Sequence, residues 1–217
     1  MKSEFLISGI ETGQLNAMVK NVMRQTGIDN PEEAVRMMNA GELQVSVVSR
    51  NWREVNNIIY FTVTSNGRSG RDWIEYLESK GFFVSKKTKT MLLSSDFKPT
   101  NQVMEIAILK CSLWENKDKI SKKICSFASG QNFSKPTIEV ACLIREKFSN
   151  ADLKEMGLWF IVVMHEPIMT INGLEVINID RYGDAWLQTT QYPKADVRWR
   201  EGVSFAFISK HNLKQIS

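Results

Sequence analysis

LWFIVVMHEP, residues Leu158–Pro167, is the most informative segment of this chain. Seven consecutive apolar residues, Leu158 to Met164, run straight into His165, Glu166 and Pro167. A run of that length, rich in Val, Ile and aromatics and preceded by Gly157, reads as a strand buried on both faces. Pro167 cannot donate a ladder hydrogen bond, so it marks a strand end or an edge. A core strand thus delivers one of the chain's two histidines, beside a carboxylate, to its exit.

The β signal continues toward the C-terminus. Asn172-Gly173 is the strongest hairpin dipeptide in the chain, Gly183-Asp184 marks a second turn, and SFAFIS (Ser204–Ser209) alternates as a closing strand. On the other side of the opening stretch, Asp118 to Met156 holds two or three helices. Ile120, Ile124 and Phe127 define the first, Pro136 opens the second, and Asn150 caps a short third that Gly157 ends. MEIAILKCSL (Met104–Leu113) is a strand.

Further upstream, Ser69 with Asp72 three residues later forms a capping box for a helix over Gly70–Lys80. Trp73, Ile74 and Leu77 supply its buried face, and a second short helix follows over Ser85–Ser94. Leu43–Ser49 and Ile58–Thr64 are rich in β-branched residues and pair across the link SRNWREVNN. Thr12 to Gln25 places Leu15, Met18, Val19, Val22 and Met23 on one helical face. Asn30-Pro31-Glu32-Glu33 starts another helix, with Asn at the cap, Pro in the first turn and acids at the positive end of the dipole. Gly27 and Gly41 are the stops.

The order αα, ββ, αα, β, ααα, then a β meander predicts an α+β fold: a mixed or antiparallel sheet with flanking helices and a β-rich C-terminal meander. Residues 1–42 are expected to form a helical hairpin whose Met-rich seam suits partner docking. Residues 43–217 are expected to form one α+β domain.

Composition narrows the class. The 217 residues are 43% apolar and 24% charged, the balance of a soluble globular protein. No apolar run reaches the roughly 20 residues that span a bilayer. MKSEFLISGIE lacks a signal-peptide core. The expected setting is the cytoplasm, with no membrane partner. Cys111, Cys125 and Cys142 are odd in number and form no CxxC, which argues against a disulfide framework and a thiolate zinc site. They read as buried, inert thiols. Net charge is +4, and Gly67–Cys125 alone carries 12 Lys plus Arg against 7 Asp plus Glu. That local excess of 12 − 7 = +5 permits contact with nucleic acid or another acidic partner.

The chemical vocabulary is sparse. His165 could act as a general base, supported by Glu166 or by Asp180 and Asp184 from the following hairpin. Adjacent strand residues point to opposite faces, however, and there is no HxH or HExxH. No metal site and no cofactor are expected, and the plainer role for His165 is to anchor the strand end. Lys86, Lys87 and Lys89 on the second short helix suggest a helix-turn-helix, yet that helix has no Arg, Asn or Gln to read base edges. Gly67-Arg68-Ser69-Gly70-Arg71 could receive an anion at a helix N-terminus but lacks the phosphate-loop spacings. Arg198-Trp199-Arg200 could stack on a base or clamp a phosphate, or form an edge strand with one buried Trp between two exposed arginines. No serine or cysteine lies in a nucleophile motif such as GxSxG.

TIEVACLIREKFSNADLKEMGLWFIVVMHEPI, WREGVSFAFIS, FTVTSNGRSGRDWIEYLESKGF and SSDFKPT resemble stretches of a set of uncharacterised bacterial proteins. The resemblance covers most of the chain beyond Leu43. It implies a bacterial, cytosolic setting and carries no functional residue. The leading expectation is a non-enzymatic binding or regulatory protein of bacterial or mobile-element origin, acting on a protein or nucleic-acid partner. The rivals are a small hydrolase or transferase using His165 with Glu166, Asp180 or Asp184, and a structural subunit of a larger assembly.

Overall fold

The computed structural model describes residues 12–42, 50–181, 186–193 and 197–210. The chain divides into two compact units, residues 1–49 and 50–217. In the first, α1 (Thr12–Thr26) and α2 (Pro31–Asn39) contact one another. Asn30 Oδ1 accepts the Glu32 N–H at 2.9 Å, the cap that the Asn-Pro-Glu-Glu signal predicts. Among the side chains described in this unit only Ala34 is buried. The strand expected over Leu43–Ser49 lies outside the described residues.

Among the described residues the second unit is built on one mixed sheet of ten strands. In chain order its elements are β1 (Arg53–Val55), β2 (Ile58–Thr64), α3 (Gly70–Ser79), β3 (Phe83–Val84), α4 (Lys86–Leu92) and β4 (Val103–Leu109). There follow α5 (Ser121–Gly130), β5 (Phe133–Ser134), α6 (Glu139–Lys147), α7 (Asn150–Glu155) and β6 (Phe160–Val163). The meander β7 (Ile168–Thr170), β8 (Gly173–Asp180) and β9 (Trp186–Gln191) follows, and β10 (Val203–Ser209) comes after it in the chain but inserts elsewhere in the sheet. The strand order is β1-β2-β4-β10-β6-β8-β9-β3, with β5 added beside β10 and β7 beside β8. The fold is α+β.

β6 lies inside the sheet, parallel to β10 and antiparallel to β8. Ile161 and Val163 face a core shared with Trp73, Leu77, Leu92, Ile144 and Leu153, which α3, α4, α6 and α7 bring over one side of the sheet. Val162 faces the opposite side, where Ile124 and Ala128 of α5, with Trp199, cover Phe205 and Phe207. Burial on both faces is what a continuous apolar run requires. A buried carboxylate ties the first layer together. Glu139 at the start of α6 accepts from Ser65 Oγ (2.8 Å), Trp73 Nε1 (3.2 Å), the Thr100 N–H (2.8 Å) and Thr100 Oγ1 (2.7 Å).

Local details depart from the sequence reading. The link SRNWREVNN contains β1, which pairs with β2 through a two-residue turn at Asn56-Asn57. Both asparagines have positive φ, +51° and +61°, the hallmark of a type I′ hairpin. Ser149, not Asn150, caps α7, with Asp152 closing the capping box. α6 begins at Glu139, not at Pro136. In the β7–β8 hairpin Ile171 and Asn172 make the turn, and Gly173 opens β8 at φ +103°. Asp184 and the turn expected at Gly183 lie outside the described residues.

β6 ends at Val163, and beyond it the sheet is split. On one side of the split β10 takes up β5 at Ile208 and Ser209. On the other, β8 takes up β7 at Gly173–Glu175. Among the described residues no helix is long and apolar enough to cross a membrane.

Candidate functional site

His165 sits in the split of the sheet and is 2% exposed. Its Nε2 accepts the Ile177 N–H at 2.9 Å, and its Nδ1 lies 2.7 Å from the Glu166 carbonyl oxygen. A backbone N–H can only donate, so Nε2 carries no proton, and Nδ1–H donates to Glu166. The ring is a neutral imidazole with both nitrogens engaged. Burial holds its pKa below the ordinary 6.5.

The carboxylates proposed to assist it are elsewhere. Glu166 points to solvent and pairs with Lys135 Nζ at 2.9 Å. Asp180 stands opposite Phe160, at the far end of β6 from His165, and accepts from Gln188 Nε2 at 3.1 Å. Among the described residues no three His, Cys, Asp or Glu are placed to hold a metal ion. The thiol of Cys142 is buried, which pushes its pKa up, whereas Cys111 and Cys125 are only half-buried.

Three of the basic candidates, Arg68, Lys87 and Lys89, have local partners. Phe83 and Val84 form β3 beside β9, so α3 and α4 are joined by a strand and not by a helix-turn-helix turn. Lys87 pairs with Glu175 at 2.9 Å, Lys89 pairs with Glu78, and Lys86 is exposed. Arg68 pairs with Glu146 at 2.7 Å and lies over the rings of Trp73 and Tyr76, while Arg71 beside it is exposed.

The remaining candidates, Arg198 and Arg200, flank Trp199. Trp199 is buried and donates from Nε1 to Ser121 Oγ at 3.0 Å, and both arginines are exposed. This segment forms one wall of a cleft of about 400 Å³ on the face of the sheet that α5 covers elsewhere. Phe160, Asn178, Asp180, Gln188 and Thr190 make its floor, Arg200 and Glu201 line the wall, and Trp159 stands at its other side. The pairing registers explain the floor. Phe160 is opposite Asp180 and Asn178 is opposite Gln188, so alternate residues of three strands share one face.

Asn178 is 0% exposed, and neither its amide oxygen nor its amide nitrogen has a hydrogen-bond partner. Buried polar atoms without partners are rare. The Arg181 guanidinium lies 4.5 Å from the centroid of the Trp159 ring. Asn178 belongs to no recognisable sequence motif. In the sequence it shows only as an amide between two isoleucines, in LEVINID (Leu174–Asp180). No protein-family model matches this chain, and no curated protein and no solved structure matches it either.

Proposed function

We infer that this chain is a non-enzymatic binding protein whose cleft takes a flat, hydrogen-bonding ring, in the form of an unstacked base of a single-stranded nucleic acid. The unpartnered amide of Asn178 at the floor of the cleft carries this reading. An amide offers one donor and one acceptor side by side, the pattern that a base edge complements. Phe160 and Trp159 offer ring surface for stacking, and Arg200 in the wall of the cleft offers charge for the backbone. The neutral, doubly bonded imidazole of His165 supplies no free base, which favours binding over hydrolysis.

The test is fluorescence anisotropy with labelled single-stranded DNA and RNA and with a duplex of the same sequence, at about 50 mM salt. The expected result is binding of a single strand, weakened at least tenfold by Asn178→Leu and weakened further as salt rises. No retention of any single strand at that salt, or equal binding by Asn178→Leu, overturns the reading.

A further inference from the structure

A second cleft lies on the opposite face of the sheet, between α4 and the β7–β8 hairpin, with a volume of about 360 Å³. Its walls are the apolar side chains of Met91, Ile168 and Met169. Glu175 lines it from β8 and is 2% exposed. One oxygen of that carboxylate, Oε1, receives Lys87 Nζ at 2.9 Å. The other, Oε2, is buried with no partner.

We propose that this cleft binds a primary ammonium group carried on an aliphatic chain. The orphan oxygen can only accept, so its partner must be a donor. A donor facing a buried carboxylate is held most strongly when it is charged. Lys87 already occupies Oε1, so a guanidinium cannot take both oxygens at once, and a single-point ammonium fits where a bidentate fork does not. A divalent metal is disfavoured by the Lys87 ammonium and by the lack, among the described residues, of three ligating groups. Lys87, Glu175 and Asp96 together carry one net negative charge, which one monocation neutralises. The walls would take the methylene chain. Free alkylamines and the lysine side chain of a peptide share this chemistry.

Nuclear magnetic resonance titration of the full chain at pH 7 with butylamine, hexylamine, hexanol and a short lysine-containing peptide tests the proposal. Hexylamine is expected to shift resonances of α4 and the β7–β8 hairpin and to bind about tenfold tighter than butylamine, since each added methylene contributes a few-fold. Hexanol is expected to bind at least tenfold more weakly. Glu175→Gln is expected to cost at least tenfold in affinity. Thr90→Trp, which fills the mouth from the surface of α4, is expected to abolish binding even if the Glu175 variant fails to fold. Tighter binding of the peptide than of free amines assigns the source to a polypeptide, and the reverse assigns it to a small molecule. Equal binding of hexanol and hexylamine, or no shift with any amine or with the peptide, overturns the proposal.

Discussion

The imidazole Nε2 of His165 receives the backbone N–H of Ile177 at 2.9 Å. Ile177 lies between the stretch of β8 paired with β7 and the stretch paired with β6. The side chain therefore does the work of a missing strand carbonyl where the sheet is split. A protonated ring would have no acceptor at Nε2 and would lose this bond.

Stability is therefore expected to depend on pH through His165. The unfolded chain takes up a proton near 6.5, and burial lets the folded chain do so only at lower pH. The unfolded state binds more protons below 6.5, so stability is intact above that value and falls as pH drops toward the folded pKa. The carboxyls held low by their hydrogen bonds, Asp72, Asp118 and Asp152, titrate below 3.8 and leave this window clear. Urea unfolding at pH 7.5 and pH 5.5 is expected to show the loss, and His165→Ala to remove the difference. The same variant is expected to cost about 3 kcal/mol at pH 7.5, from the orphaned Ile177 N–H and the cavity. An unchanged pH profile in His165→Ala refutes the assignment.

Asn178→Leu is expected to stabilise the ligand-free protein. It replaces two unpartnered buried polar atoms with an apolar group of similar size, in a strand whose neighbours include Val162 and Val176. Relief of the desolvation penalty is about 1–3 kcal/mol. Denaturant midpoints of the two proteins measure it. A destabilised variant would mean that the amide already has a partner in solution, such as a bound water.

Gly70→Ala is expected to be severely destabilising. A Cβ at Gly70 would stand 1.8 Å from the Leu92 carbonyl oxygen, so the first turn of α3 touches the last turn of α4 backbone to backbone. Overpacking against a rigid main chain costs about 3 kcal/mol or more. Thermal unfolding of Gly70→Ala beside Gly130→Ala, where a Cβ meets nothing within 4 Å, isolates the effect. Similar melting temperatures for the two variants would contradict the close approach.

The core strands were legible because apolar periodicity reports burial directly. Ile58–Thr64 and the Ser69–Asp72 capping box appear where the residues place them. β1 was hidden because its three residues, Arg53-Glu54-Val55, are exposed on the sheet edge and carry no apolar pattern. Its turn is Asn-Asn in place of the stronger Asn-Gly. Ser149 and the adjacent Asn150 are equally good capping residues, so residue type alone does not tell which of them caps α7. The cleft was illegible for a different reason. Its floor joins β6, β8 and β9 at positions that only the pairing register brings side by side, and a single sequence does not print register.

β10 comes last among the described strands yet lies between β4 and β6. Until residues 203–209 leave the ribosome, β1-β2-β4 and β6-β8-β9-β3 are two half-sheets, each with an apolar inner edge open to other chains. Joining of the two half-sheets is thus set by the arrival of β10, and a nascent chain stalled before Val203 is a natural client for chaperones.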